Sequence, residues 1–228
     1  MYTYYMICFV IAMEKEAAPI IARTVVEKDY SVCGRRVVLG KLLNSNVAVV
    51  VCGVGKVNAA CGAQYAIDCL QPSIIVNVGV AGGLNSSMQV GKIYGVESAV
   101  QYDFDLAQLN GTAIGTLDEY DINYLPLSTD GRYPLKKLGT GDRFNDSAAD
   151  FELLTKTLGA DIRDMELGAI VQTCKHAGVK CAAYKIISDL AGSGSTTEQF
   201  LKNLAVCFNT LENELENMVN GIKAAVNG

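Results

Sequence analysis

Ile74-Ile75-Val76-Asn77-Val78 runs directly into Gly79-Val80-Ala81-Gly82-Gly83, and this junction decides the fold. A short apolar run closed by glycine is too short for a helix and reads as a strand ending in a turn. It is apolar at nearly every position, as expected of a strand covered on both faces; a strand with one wet face would alternate. Met6–Ala12, Val47–Cys52 and Ala182–Ile187 read the same way. Arg36–Leu42 and Val47–Cys52 flank Asn44-Ser45-Asn46, a hairpin turn by composition. Helical spacing fills the gaps. Lys56–Leu70 places Ala60, Ala63, Ile67 and Leu70 on one face and stops before Pro72. Ser147–Leu158 starts behind Asn145-Asp146, either of them a cap, and ends at Gly159. Met165–Ala177 puts Leu167, Ile170, Val171 and Cys174 on one stripe and ends at Gly178. Leu201, Leu204, Phe208, Leu211, Leu215, Met218 and Ile222 then recur three and four apart, the pattern of a terminal helix docked on its own sheet.

Strands alternating with helices predict an α/β fold with a mixed, largely parallel sheet, the hairpin supplying the antiparallel part. No Pro/Ser-rich linker or charge block divides the 228 residues, so one domain spanning 1–228 is expected. Half of the residues are apolar and 19% are charged, which excludes intrinsic disorder. The net charge is −5 and the basic residues are scattered, so there is no nucleic-acid footprint. Cys8, Cys33, Cys52, Cys61, Cys69, Cys174, Cys181 and Cys207 form no C-x-x-C pair and mostly lie in apolar stretches. They read as reduced thiols of a cytoplasmic protein. With His176 the only histidine, no metal site is expected. Tyr4–Met13 has no basic residue before it and runs straight into Glu14-Lys15-Glu16. It is well short of the ~20 residues that span a bilayer, so it reads as a buried first strand and no membrane partner is expected.

In such sheets the ligand sits beyond the carboxyl ends of the strands. Met13-Glu14-Lys15-Glu16 follows the first strand, Gly53-Val54-Gly55-Lys56 another, Gly79–Gly83 the next, and Ser188-Asp189 the last. Three carboxylates belong to this edge: Glu16, Glu166 and Asp189. Singly, each fits a bland position, the glutamates exposed in a helix's first turn and the aspartate capping a turn. Together they supply an acid and a base on opposite sides of a bond, which glycoside hydrolysis requires. Nucleotide motifs fail: Gly53-Val54-Gly55-Lys56-Val57-Asn58 lacks the third glycine of G-x-G-x-x-G. It also fails as a P-loop, with Val50 for the first glycine and Val57 for the hydroxyl residue.

Five ordered segments resemble the nucleoside phosphorylase/nucleosidase superfamily, most closely the 5′-methylthioadenosine/S-adenosylhomocysteine nucleosidases. They are Ile11–Glu16, Gly53–Ala60, Asn77–Leu84, Asp164-Met165-Glu166 and Ile187-Ser188-Asp189. The resemblance implies a single-domain three-layer sandwich around the mixed sheet and release of adenine from 5′-thio-substituted adenosines by water. It implies no cofactor, and it implies a homodimer. It assigns Asp189, beside Ser188, as the acid for adenine N7, Glu16 as the residue that positions and deprotonates water, and Glu166, with the Met165 backbone, as the binder of ribose hydroxyls. Phe144 would stack on the purine and the Asn145 backbone would read its edge. Val54, Val80 and Met13 would line the ribose side.

The chain departs from the pattern in places. Val80 stands where many relatives carry a hydroxyl, Lys185 replaces a frequent arginine, and the phenylalanine often found near Thr197 is missing. The stretch from Tyr102 to Tyr133 matches only around Asp103 and Asp105, so the 5′ substituent is the least defined part of the substrate. Three alternatives stay open: a nucleoside phosphorylase, a nucleosidase for another purine nucleoside such as futalosine, and a non-catalytic purine-nucleoside-binding protein. Retention of all three carboxylates speaks against the last.

Overall fold

Successive residues of Met6–Ile11 face opposite cores. Ile7, Phe9 and Ile11 pack with Val47, Val49, Ile74, Val76 and Val78, whereas Met6, Cys8 and Val10 pack with Ala48, Val50 and Ile75. Side chains alternate with a period of two; with both faces dry, the alternation disappears from the sequence. The structure, a computed structural model, describes residues 5–227.

In chain order the elements are β1 (Met6–Ile11), α1 (Glu14–Arg23), β2 (Val25–Val32), β3 (Arg35–Leu42), β4 (Ser45–Val51), α2 (Lys56–Tyr65), β5 (Ile74–Gly83) and β6 (Ile93–Gln101). Then come α3 (Ala107–Asn110), β7 (Leu125–Pro126), β8 (Leu135–Thr140), α4 (Ala148–Glu152), β9 (Ile162–Asp164), α5 (Leu167–Ala177), β10 (Lys180–Leu190) and α6 (Thr196–Asn227). α2 and α4 each run on into a π-helical turn, Ala66–Leu70 and Leu153–Thr157.

β4, β1, β5 and β10 lie side by side and parallel. β3 and β2 add an antiparallel edge. On the other side β10 pairs with β6, β6 with β8, β8 with β9, and β9 back with β5, so these strands close on themselves. α1 and α6 cover the face holding Phe9, and α2 and α5 cover the face holding Val10. This is the expected three-layer α/β architecture around a mixed sheet.

Several local expectations shift. Gly79–Gly83 is not a turn but the end of β5. The hairpin pairs Leu42 with Ser45, so its turn is Leu43-Asn44 and not Asn44-Ser45-Asn46. Both turn residues have positive φ, 49° and 61°, as a two-residue type I′ turn demands. The buried face of α2 is Ala59, Gly62 and Ala63, continued by Ala66, with Ala60, Ile67 and Leu70 only partly buried. Small residues let this helix approach Cys52 and, in β1, Val10 closely, a Cβ on Gly62 falling 2.6 Å from the Cys52 Cβ, and the helix continues past Ala66 as a π-turn. α4 is capped by Ser147, whose hydroxyl accepts from the Asp150 amide at 3.3 Å, rather than by Asn145 or Asp146. The α6 stripe is dry only from its middle onward: Leu211, Leu215, Met218 and Ile222 are buried, but Leu201 is 66% exposed. Among the described residues no helix is long and apolar enough to cross a membrane. Five of the cysteines are buried, and Cys33, Cys61 and Cys69 are exposed.

Phe9 is fully buried at the centre of the larger-residue core. Phe9→Ala is expected to cost about 3–5 kcal/mol, read as a lower urea midpoint at unchanged slope; a loss below 1 kcal/mol would show that the core collapses around the vacancy.

Candidate active site

The carboxyl ends of β1, β5, β9 and β10 open into one cavity of about 350 Å³. Each wall residue arrives by a local device. After β1 the chain turns at Met13 into α1, and Glu16 reaches back so that its Oε2 accepts from the Met13 amide at 3.1 Å. Its Oε1 accepts from the Val80 amide at 2.8 Å. This places a glutamate that sequence position alone would leave exposed at 4% exposure. Gly79 makes room for it: a Cβ there would stand 2.6 Å from Glu16 Oε1.

Glu166 opens α5 and is also buried. Its Oε1 accepts from the Gly55 amide at 2.9 Å. Gly55 has φ +97°, a conformation that glycine adopts without strain. Asp189 lies in β10 just past a bulge, where Ile187 pairs with Ala81 but Asp189 pairs with Gly82. The extra residue is Ser188, and a bulge re-aims the side chains around it. The Ser188 hydroxyl donates to Asp189 Oδ1 at 2.6 Å, while Asp189 Oδ2 is buried without a partner.

Burial is the largest influence on all three carboxyls and raises each above the usual range. For Glu16, amide donors and the Lys185 charge oppose it. Glu166 is pushed up to about 7 by burial and then by Asp164, with Lys185 opposing. For Asp189 the opposition comes from the Ser188 hydrogen bond and the Arg163 charge. Lys185 itself is buried and pairs with Asp164 at 2.8 Å. Burial pulls its ammonium down, but Asp164, Glu166 and Glu16 outweigh that and hold it up.

Met13, Glu16, Val54, Val80, Phe144, Met165, Glu166, Ser188 and Asp189 all line this one cavity. Asn145 is not among its lining residues; its amide side chain is turned to Asp150 at 2.9 Å and its Oδ1 accepts from the Ser147 amide. Sequence reasoning did not place Arg143, Arg163, Thr196 and Phe200 in the wall. Phe200 meets Phe144 edge-on with ring centres 5.5 Å apart, so an aromatic partner does stand near the position where the sequence lacks one. Lys185 had a readable signal, a lone charge within Ala182–Ile187. His176 is remote from the cavity walls and bonds Glu119 at 2.7 Å on the surface. Among the described residues no cluster of side chains has the makings of a metal site.

The family model described as the phosphorylase superfamily matches residues 6–220. A 5′-methylthioadenosine/S-adenosylhomocysteine nucleosidase of Halalkalibacterium halodurans is 32% identical over 183 residues, covering 73% of this chain and 78% of that one. The chain belongs to this nucleosidase family of the phosphorylase superfamily. It is therefore an enzyme. The nucleosidase of Colwellia psychrerythraea, solved in complex with adenine, superposes with a TM-score of 0.87 at 25% identity, covering 96% of each chain. The futalosine hydrolase of Helicobacter pylori shares the fold, with a TM-score of 0.87 at 22% identity over 96% of this chain and 99% of that one.

The nucleosidase holds the Glu166 proton more tightly when folded than when unfolded. A carboxyl with a raised folded pKa contributes fully below its unfolded value, near 4.3, and loses that contribution as pH climbs to about 7. Glu166→Gln removes the buried charge. It is expected to stabilise the fold by about 1–3 kcal/mol at pH 8 and negligibly near pH 4.5, read from thermal unfolding at the two pH values. Equal effects at both would mean that Glu166 is not a strained carboxylate.

Proposed function

We propose that this nucleosidase hydrolyses the N-ribosyl bond of 5′-methylthioadenosine and S-adenosylhomocysteine and releases adenine. The observation that carries the reading is the buried, unpartnered Asp189 Oδ2 in the same cavity as Glu16 and Glu166. Cleaving this bond builds positive charge on the sugar and negative charge on the base. In the proposal, Asp189, kept protonated by burial, gives its proton to N7 so that adenine leaves neutral. The Ser188 hydroxyl fixes which oxygen is free to do so. Glu16, carrying a carboxylate made more basic by burial, orients a water and takes its proton. Glu166 accepts from the ribose hydroxyls, beside the Met165 backbone. Met13, Val54 and Val80 give the ribose an apolar bed, and Phe144 stacks on the purine.

Water is favoured over phosphate because the nucleophile's end of the cavity is carboxylate-lined. Lys15 is exposed and outside the wall, Lys185 is already paired with Asp164, and Val80 brings no hydroxyl. The same reading carries a cytoplasmic homodimer. Val54 and Phe144, which line the cavity, and Leu201, which follows the lining residue Phe200, are exposed apolar groups that a second copy would cover.

Asp189→Asn keeps the shape of the side chain but cannot protonate N7. Turnover of 5′-methylthioadenosine should fall by about 10²–10⁴-fold with substrate still bound, measured by adenine release and by equilibrium binding. Turnover within threefold of wild type would remove Asp189 from the mechanism. In phosphate-free buffer the products should be adenine and free 5-methylthioribose, at a rate that added phosphate does not raise. A strict need for phosphate, with a sugar 1-phosphate as product, would make the enzyme a phosphorylase.

A further inference from the structure

Arg163 has few partners for an arginine that is only 9% exposed as a residue. Its one side-chain hydrogen bond among the described residues runs from Nη2 to the Thr196 hydroxyl at 3.3 Å. No carboxylate of the described residues pairs with it, although buried arginines are ordinarily paired. Thr196 in turn gives its own proton to Asp146. Arg163 stands in the wall shared by the main cavity and a second one of about 270 Å³, which Asp146, Ser147, Phe151 and Gly192 also line. Most of its N–H groups are therefore free to meet a ligand.

Its position relative to Asp189 says which part of a ligand it meets. A Cβ built on Gly82 would lie 2.8 Å from Asp189 Oδ2 and 3.2 Å from Arg163 Nε, so the carboxyl and the guanidinium flank one point. On a purine, N7 and the 6-substituent stand side by side on one edge. A 6-oxygen there accepts hydrogen bonds and a 6-amino group donates them, and arginine is the side chain that reads N7 with O6. Arginine carries only donors, so it has nothing to offer a 6-amino group directly.

We propose that Arg163 binds the 6-oxygen of a 6-oxopurine, and that the enzyme cleaves 6-oxopurine (inosine-type) nucleosides as well as their 6-amino counterparts. The inference rests on Asp189 facing N7, as proposed above. With a 6-amino base Arg163 stays on Thr196; with a 6-oxo base it turns an N–H to the oxygen. The chemistry is the same hydrolysis. The C1′–N9 bond breaks, its electron pair goes to the base, and N7 takes the Asp189 proton. The water oxygen bonds C1′ and its proton goes to Glu16. Hypoxanthine leaves neutral, and the guanidinium stabilises the charge that gathers toward O6 as the bond breaks.

The test compares kcat/KM for 5′-methylthioinosine and 5′-methylthioadenosine in wild type and Arg163→Leu. Wild type should cleave the inosine compound within tenfold of the adenosine compound. Arg163→Leu should lower the inosine-to-adenosine ratio at least fivefold, the lower end of what one such arginine contact discriminates. Using the ratio cancels any effect of the lost charge on Asp189, which both substrates share. A smaller change in the ratio, or a wild type that cleaves only the adenosine compound, overturns the assignment and leaves the nucleosidase reading standing. A wild type that cleaves neither overturns both. If Arg163→Leu does not fold, inhibition of wild type decides: hypoxanthine should compete with 5′-methylthioadenosine within tenfold of adenine's potency, and weaker competition rejects the role.

Discussion

The site is organised around one buried ammonium. Lys185 pairs with Asp164 where neither side chain has more than 2% exposure, and taking such charges out of water is tolerated only when they are paired and hydrogen-bonded. Asp164 is fully used: Oδ1 accepts from the Thr140 hydroxyl at 2.6 Å, and Oδ2 from the Leu167 amide at 3.0 Å as well as from Lys185. Thr140 accepts in turn from the Gly168 amide at 2.8 Å. This network ties the start of α5 to β8, β9 and β10 and sets Glu166 in the cavity wall. It also puts one positive charge among Asp164, Glu166 and Glu16, which would otherwise stay ionised only at a heavy cost.

That placement gives the carboxyls different surroundings. Glu16 and Glu166 feel the Lys185 charge and accept amide N–H groups, which favour the ionised form. Asp189 has a single hydroxyl donor and an oxygen with no partner. Burial raises all three carboxyls, opposed at Glu16 and Glu166 by Lys185 and backbone amides and at Asp189 by the Ser188 hydroxyl and the Arg163 charge; the proposed mechanism assigns the proton to Asp189 and its acceptance to Glu16. The glycines of β5 permit this crowding, since side chains at Gly79 and Gly82 would collide with Glu16 and Asp189. The under-partnered Arg163 at the base end is the same principle in reverse, a buried charge awaiting its acceptor from outside the chain.

The four parallel strands at the centre of the sheet were legible because both their faces are dry, so Met6–Ile11, Val47–Val51, Ile74–Val78 and Ala182–Ile187 are apolar at every position but Asn77 and Lys185. Five strands were missed: Ile93–Gln101, whose apolar run is broken by Gly95, Glu97 and Ser98, and Val25–Val32, Leu125–Pro126, Leu135–Thr140 and Ile162–Asp164, whose residues do not look like strands in isolation. Val25–Val32 is almost wholly exposed, Leu135–Thr140 carries two lysines, and Ile162–Asp164 is three residues held by its neighbours on either side. The pairing of Leu135–Thr140 and Ile162–Asp164 closes the barrel-like part of the sheet, and such non-local hydrogen bonding leaves no local pattern to read.

For the site, the sequence by itself determined which residues stand at the carboxyl ends of the strands, because strand ends and the motifs that follow them are local features. It therefore named Glu16, Glu166 and Asp189 and the family to which they belong. Only the tertiary structure decided that these acids are buried and not solvated helix-capping residues. Burial depends on what other segments bring to the same point: the Val80 amide to Glu16, the Gly55 amide to Glu166, a bulge at Ser188 to Asp189. Arg163 and Phe200 joined the wall in the same way. Neither stands out in its own segment, and each acquires a role through the shape of a cavity assembled from residues far apart in the chain.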